Sequence, residues 1–126
     1  MDELKRTMFD PPEPKEPEDY KFKLKQNRPH LLVLSGVSKG REITIKKDPF
    51  IIGRDANADL CIKEELVSRR HTSIYFKNTV FRIKDLASTN GTYLNGKKIS
   101  DSILNNSDKI QIGDTVVQFL LGTIEL

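Results

Sequence analysis

From residue 30 onward the apolar residues fall in short runs, four or five long at most, and Gly, Asn, Asp, Ser or Pro breaks each run within a few positions. Such a texture predicts many short β-strands: 31–34 (LLVL), 41–45 (REITI), 50–53 (FIIG), 59–62 (DLCI), 73–77 (SIYFK), 80–84 (VFRIK), 92–94 (TYL), 109–112 (KIQI) and 115–121 (TVVQFLL). The connectors SGVSKG, KKDP, RDANA, FKNT, STNG, LNGKK, NNSD and GD carry the breakers. Ile, Val and Thr supply 25 of these 97 residues, the composition a pleated, half-buried surface prefers. No stretch sustains a 3.6-residue period, so helices are not expected. The predicted fold is all-β, a sandwich or barrel.

Residues 1–29 have a different texture. They hold five of the six prolines, and PPEPKEP at 11–17 disfavours both helix and sheet and favours an extended, polyproline-like strut. The following DYKFKLKQNR reads as an edge strand or a solvated stretch, the latter being favoured. The expected organisation is a flexible tail over 1–29 and one domain over 30–126, in keeping with a chain of 126 residues.

Charge and cysteine content narrow the function classes. The tail is neutral and the domain carries the whole net charge of +3, which suits an anionic partner without demanding nucleic acid. Apolar runs of this length do not span a bilayer as helices, and MDELKRTMFD lacks the apolar segment of a signal peptide. Cys61 is the single cysteine, which fits a reducing, cytoplasmic setting. With only His30 and His71 beside it, neither a metal site nor a cofactor is expected.

Three loops concentrate polar side chains: Gly53-Arg54, Ser68-Arg69-Arg70-His71 and Ser88-Thr89-Asn90-Gly91-Thr92. Loops at one end of a sandwich can converge on one surface. Their pooled guanidinium, hydroxyl, amide and backbone N–H groups are donors, the complement of a phosphate.

In order and spacing, GR, then SRRH fourteen residues after the Arg, then STNGT and NG, resemble the pattern of forkhead-associated (FHA) domains over residues 30–122. The resemblance implies a two-sheet β-sandwich of eleven strands whose loops at one end hold a phosphothreonine peptide. It implies that Arg54 and Ser68 contact the phosphate, that Arg69 adds a phosphate or peptide contact, and that Thr89 lies at the phosphate and shapes the slot for the threonine methyl. Asn90 then bonds the peptide backbone. Gly53 and His71 are architectural, and Gly91, Asn95 and Gly96 set turn geometry. Two residues before the Ser-Arg pair lies a position that in several family members helps select the third residue after the phosphothreonine, sometimes through a basic side chain. Here that position is Leu66, so a hydrophobic contact is expected instead.

Thr7 is the one Ser or Thr of the tail, with Lys5-Arg6 before it and Asp10 three positions after. Thr7 is therefore a candidate phosphosite for a Ser/Thr kinase and a candidate ligand of the domain, in cis or between two chains, with Asp10 a possible specificity residue. Catalysis is not expected, since neither a GxSxG elbow nor a P-loop is present. The alternatives are a basic nucleic-acid-binding β domain and an interaction module indifferent to phosphate. The ending Gly122–Leu126 reads as a boundary before further sequence. An FHA module of this kind commonly regulates an attached or partner output domain, such as a diguanylate cyclase.

Overall fold

The computed structural model describes residues 28–122. Thr7, Asp10 and the proline-rich stretch lie outside the described residues. Eleven strands follow in order: β1 (His30–Ser35), β2 (Glu42–Thr44), β3 (Phe50–Gly53), β4 (Leu60–Cys61), β5 (Thr72–Lys77), β6 (Val80–Asp85), β7 (Thr92–Leu94), β8 (Lys97–Ile99), β9 (Asp101–Ile103), β10 (Lys109–Ile112) and β11 (Thr115–Leu120).

They form two sheets, β2-β1-β11-β10-β7-β8 and β4-β3-β5-β6-β9. All neighbours are antiparallel except β3 and β4, which run parallel. The fold is the β-sandwich that strand patterning and resemblance imply. Alternation along the strands builds the core. In β10, Ile110 and Ile112 are buried between exposed Lys109 and Gln111. In β5, Thr72, Ile74 and Phe76 point inward, while Tyr75 and Lys77 point out.

Leu31, Ile52, Leu60, Ile62, Ile83 and Phe119 are wholly buried between the sheets. Each such side chain stabilises the fold by roughly 1.5–3 kcal/mol relative to exposure. Phe81 bridges Phe76 and Phe119 with ring centroids 5.0 and 5.4 Å apart, tying the two sheets together near the β5–β6 hairpin turn.

Two strands depart from the residue-by-residue expectation. β8 begins on Lys97 and Lys98, read from the sequence as turn and solvated charge, and β9 falls on residues to which the sequence pattern assigned no element. Each is three residues long and lies on the edge of a sheet, so its side chains need not alternate with burial. Lys97 and Lys98 are exposed, but they sit in a strand.

Candidate functional site

The β3–β4, β4–β5 and β6–β7 loops emerge at one end of the sandwich. Arg54 directly follows β3. Its amide donates to the Ser68 carbonyl at 2.9 Å, and the next amide, of Asp55, donates to the Arg69 carbonyl at 3.1 Å. The 68–70 loop therefore lies flat across the end of β3. Gly53 makes this approach feasible, because a Cβ there would sit 1.9 Å from the Arg69 carbonyl oxygen. Arg54 is exposed, yet its Nε donates to the Val67 carbonyl at 2.8 Å. That bond orients the guanidinium and leaves its terminal N–H groups for an outside acceptor.

Ser68 and Thr89 come from different loops and meet directly. The Thr89 amide donates to the Ser68 hydroxyl oxygen at 3.1 Å, so the Ser68 O–H is left to donate elsewhere. One loop residue on, the Asn90 side-chain amide donates to the Leu66 carbonyl at 2.9 Å. Thr89 and Asn90 are exposed and Ser68 is half-buried, as a surface for a ligand requires. Arg69 is exposed beside them.

His71 is wholly buried beneath this surface. The Ser68 amide donates to its Nδ1 at 3.0 Å, and its Nε2 lies 2.8 Å from the Gly91 carbonyl. An amide only donates, so Nδ1 is unprotonated and Nε2 carries the hydrogen given to Gly91. A neutral imidazole thus joins the two loops that carry Ser68 and Thr89.

Two positions that sequence reasoning did not single out complete the support. Asp85, at the end of β6, accepts from the Ser88 amide (3.0 Å), the Ser88 hydroxyl (2.6 Å) and the Thr92 hydroxyl (2.6 Å). Partial burial pushes its carboxyl up, but the hydrogen bonds from the Ser88 hydroxyl, the Thr92 hydroxyl and the Ser88 amide outweigh burial and hold it below its ordinary value. The Ser88 hydroxyl also accepts the Gly91 amide at 2.9 Å, which shapes the turn. An Asp three residues before a Ser was the available signal.

Glu64 is the second. Its carboxylate accepts the Asp114 amide at 2.8 Å and the hydroxyl of buried Thr115, so it clamps the loop carrying Leu66 and Ser68 to the β10–β11 turn. Its partners lie 50 and 51 residues away, and no local pattern announces them.

Asn95 and Gly96 form a turn with φ of +51° and +87°, as expected of that pair. The turn lies at the other end of β7, where Asn95 bonds Asp108 and Lys109. Among the positions singled out, the structure therefore gathers Gly53, Arg54, Leu66, Ser68, Arg69, His71, Thr89, Asn90 and Gly91, and sets Asn95 and Gly96 apart. A pocket of about 310 Å3 flanks the meeting point and is lined by Leu66, Asn90, Gly91, Tyr93, Gln111 and Gly113.

The FHA domain family model matches residues 50–113. The glycogen accumulation regulator GarA of Mycobacterium tuberculosis is 33% identical over 92 residues, covering 73% of this chain and 57% of its own length. This chain thus spans little more than half of that relative. A solved FHA domain, from work on phosphothreonine-dependent FHA interactions, superposes with a TM-score of 0.69 at 29% identity, covering 77% of this chain and 99% of that one. Mycobacterium tuberculosis EmbR in complex with a low-affinity phosphopeptide gives 0.70 at 30% identity, covering 78% of this chain and 26% of that one.

Proposed function

The chain belongs to the FHA-domain family, and from that premise we propose that residues 30–126 form a phosphothreonine-reading module. Arg54 and Ser68 contact the phosphate, Arg69 adds a charge at its rim, Thr89 borders the threonine methyl, and Asn90 holds the peptide backbone. The observation that carries this reading is the Ser68–Thr89 contact beside the Val67-held guanidinium of Arg54. It turns three separate loops into one set of outward donors. His71, Gly53 and Gly91 hold that set in place.

A phosphothreonine brings about −1.5 to −2 charges where the plain side chain brings none. Each charge-assisted hydrogen bond contributes roughly 1.5–3 kcal/mol. Three or four of them, less the cost of ordering an extended peptide, put affinity near the micromolar level. The exposed Leu66, at the edge of the 310 Å3 pocket, favours an apolar residue three positions after the phosphothreonine.

The partner is a phosphothreonine protein made by a Ser/Thr kinase, which a cytoplasmic setting supplies. The chain's own Thr7 is one such ligand, in cis or between two chains. His30 follows it by twenty-three positions, and a coil of that length spans roughly 26 Å, enough to reach the loop end. Capture of the tail would occupy the site and so regulate an attached or partner domain. The relatives' own names, a glycogen accumulation regulator and an oxoglutarate dehydrogenase inhibitor, describe regulation for those proteins.

The test is a calorimetric titration of the chain with a phosphothreonine peptide library and with a peptide of residues 1–14 phosphorylated on Thr7. Unphosphorylated peptides and an Arg54→Ala chain run beside them. Micromolar binding that needs both phosphate and Arg54 is expected. Silence toward the whole library sinks the reader assignment, and silence toward the Thr7 peptide alone retires only the tail as ligand.

A further inference from the structure

The two loops that meet at Ser68 and Thr89 each run from one depression to another. At one flank, Leu66 and Asn90 line the pocket beside Tyr93 and Gln111. At the other, Arg70 and Leu86 line the mouth of a larger groove of about 800 Å3. A peptide crossing the phosphate site therefore has the pocket on one side and the groove on the other.

The groove lies on the outer face of the five-stranded sheet. Its floor includes Ile51 and Ser73, only 7% and 5% exposed although they point away from the core. Gly53 again matters here. With no side chain at the Gly53 end of the outer face of β3, the 68–70 loop settles over that end, the glycine's missing Cβ lying 3.1 Å from the Arg70 Cα. The residue just past the phosphate loop thereby becomes a wall of the groove.

Three cations, Arg70, Lys77 and Lys84, line the groove against two acids, Asp48 and Asp101, the latter paired in register with Lys84 across β6 and β9. Arg70, Lys77 and Lys84 are exposed, and among the described residues none of the three forms an ion pair. Of the acids there, Asp101 is held by Arg82 at 2.9 Å and by the Tyr75 hydroxyl at 2.6 Å. Asp48 accepts the Phe76 amide.

We propose that this groove holds the stretch of a partner that precedes its phosphothreonine, and that this stretch is extended and acidic. The inference rests on the phosphothreonine reading. On that reading the residues after the phosphothreonine run toward Leu66, so those before it leave on the Arg70 side. Lys84 pairs with Ser73 across β5 and β6, near the site, and Lys77 lies four residues farther along β5, about 13 Å away. Acids roughly three to seven positions before the phosphothreonine reach first Lys84 and then Lys77.

The experiment uses three phosphothreonine peptides with the same residues around the phosphate. One carries Glu at positions three to seven before it, one carries Gln there, and one carries the Glu run at the same spacing after it. Each is titrated into the chain and into a Lys77→Gln/Lys84→Gln variant at low and at 0.5 M salt. The leading-Glu peptide is expected to bind the chain roughly fivefold tighter than the Gln peptide, as a few solvent-exposed ion pairs allow. That gain is expected to vanish in the variant and shrink at high salt, with the Gln peptide reporting an intact phosphate site throughout. Equal binding of the Glu and Gln peptides overturns the groove assignment and leaves the phosphate reading standing. A gain from the trailing Glu run instead overturns its direction. If none of the three phosphopeptides binds, the reader assignment itself has failed, and the groove inference fails with it.

Discussion

The buried His71 imidazole receives the Ser68 amide on Nδ1 at 3.0 Å, while its other nitrogen lies 2.8 Å from the Gly91 carbonyl. One ring thus sets the separation of the two loops whose tips, Ser68 and Thr89, touch at 3.1 Å. Arg54 enters the same arrangement through Ser68 and Val67. The surface that would grip a phosphate is therefore held from below by bonds that a ligand never touches.

His71→Ala leaves a buried amide and a buried carbonyl without their partner and opens a cavity. A loss of about 3 kcal/mol in unfolding free energy is expected, together with loss of phosphopeptide binding. Urea denaturation and titration check the two effects. Binding that survives at full strength in a folded variant would show that the loops hold their spacing without the ring.

Gly53→Ala forces a methyl group against the Arg69 carbonyl, 1.9 Å from the ideal Cβ position. The obstacle is backbone, so the whole 68–70 loop must move. A destabilisation of at least ~2 kcal/mol and a collapse of phosphopeptide affinity are expected. Thermal melting and the same titration measure them.

Asp85 brings a pH dependence. Its folded-state value is lowered, so its contribution to stability is fully present above the value of the unfolded chain and disappears as pH falls through the folded value. The window lies below about pH 4. Asp85→Asn is expected to cost about 1–2 kcal/mol at pH 7, from weakened bonds to Ser88 and Thr92, and progressively less toward pH 2.5. Urea midpoints of both proteins across that range decide it, and a pH-independent gap would remove the carboxylate from the account.

Glu64→Ala and Glu64→Gln separate position from charge. Alanine abandons the Asp114 amide and the Thr115 hydroxyl and is expected to cost about 2 kcal/mol. Glutamine can accept from the amide and donate to the hydroxyl, so it should retain most of the stability and most of the phosphopeptide affinity. Equal losses in the two variants, read by denaturation and titration, would contradict the clamp.

The local pattern of the chain was enough to place nine strands and their turns, because alternation and breakers are properties of neighbouring residues. It was also enough to pick out the loops bearing Arg54, Ser68 and Thr89, since their donor-rich composition is unusual for plain turns. β8 and β9 escaped because short edge strands bury little, and their Lys97, Lys98 and Asp101 carry no inward pattern. Asn95-Gly96 was legible as a turn, but not as one remote from the site.

Other features exist only once the sheets are stacked. His71 reaches Gly91 across 20 positions and Glu64 reaches Thr115 across 51. The Gly53 contact, the pocket at Leu66 and the groove at Arg70 are likewise relations between segments far apart in the chain. Sequence periodicity records which face of a strand is buried. The partner that a polar side chain meets across a sandwich depends on how two sheets pack, and only the tertiary structure decides that.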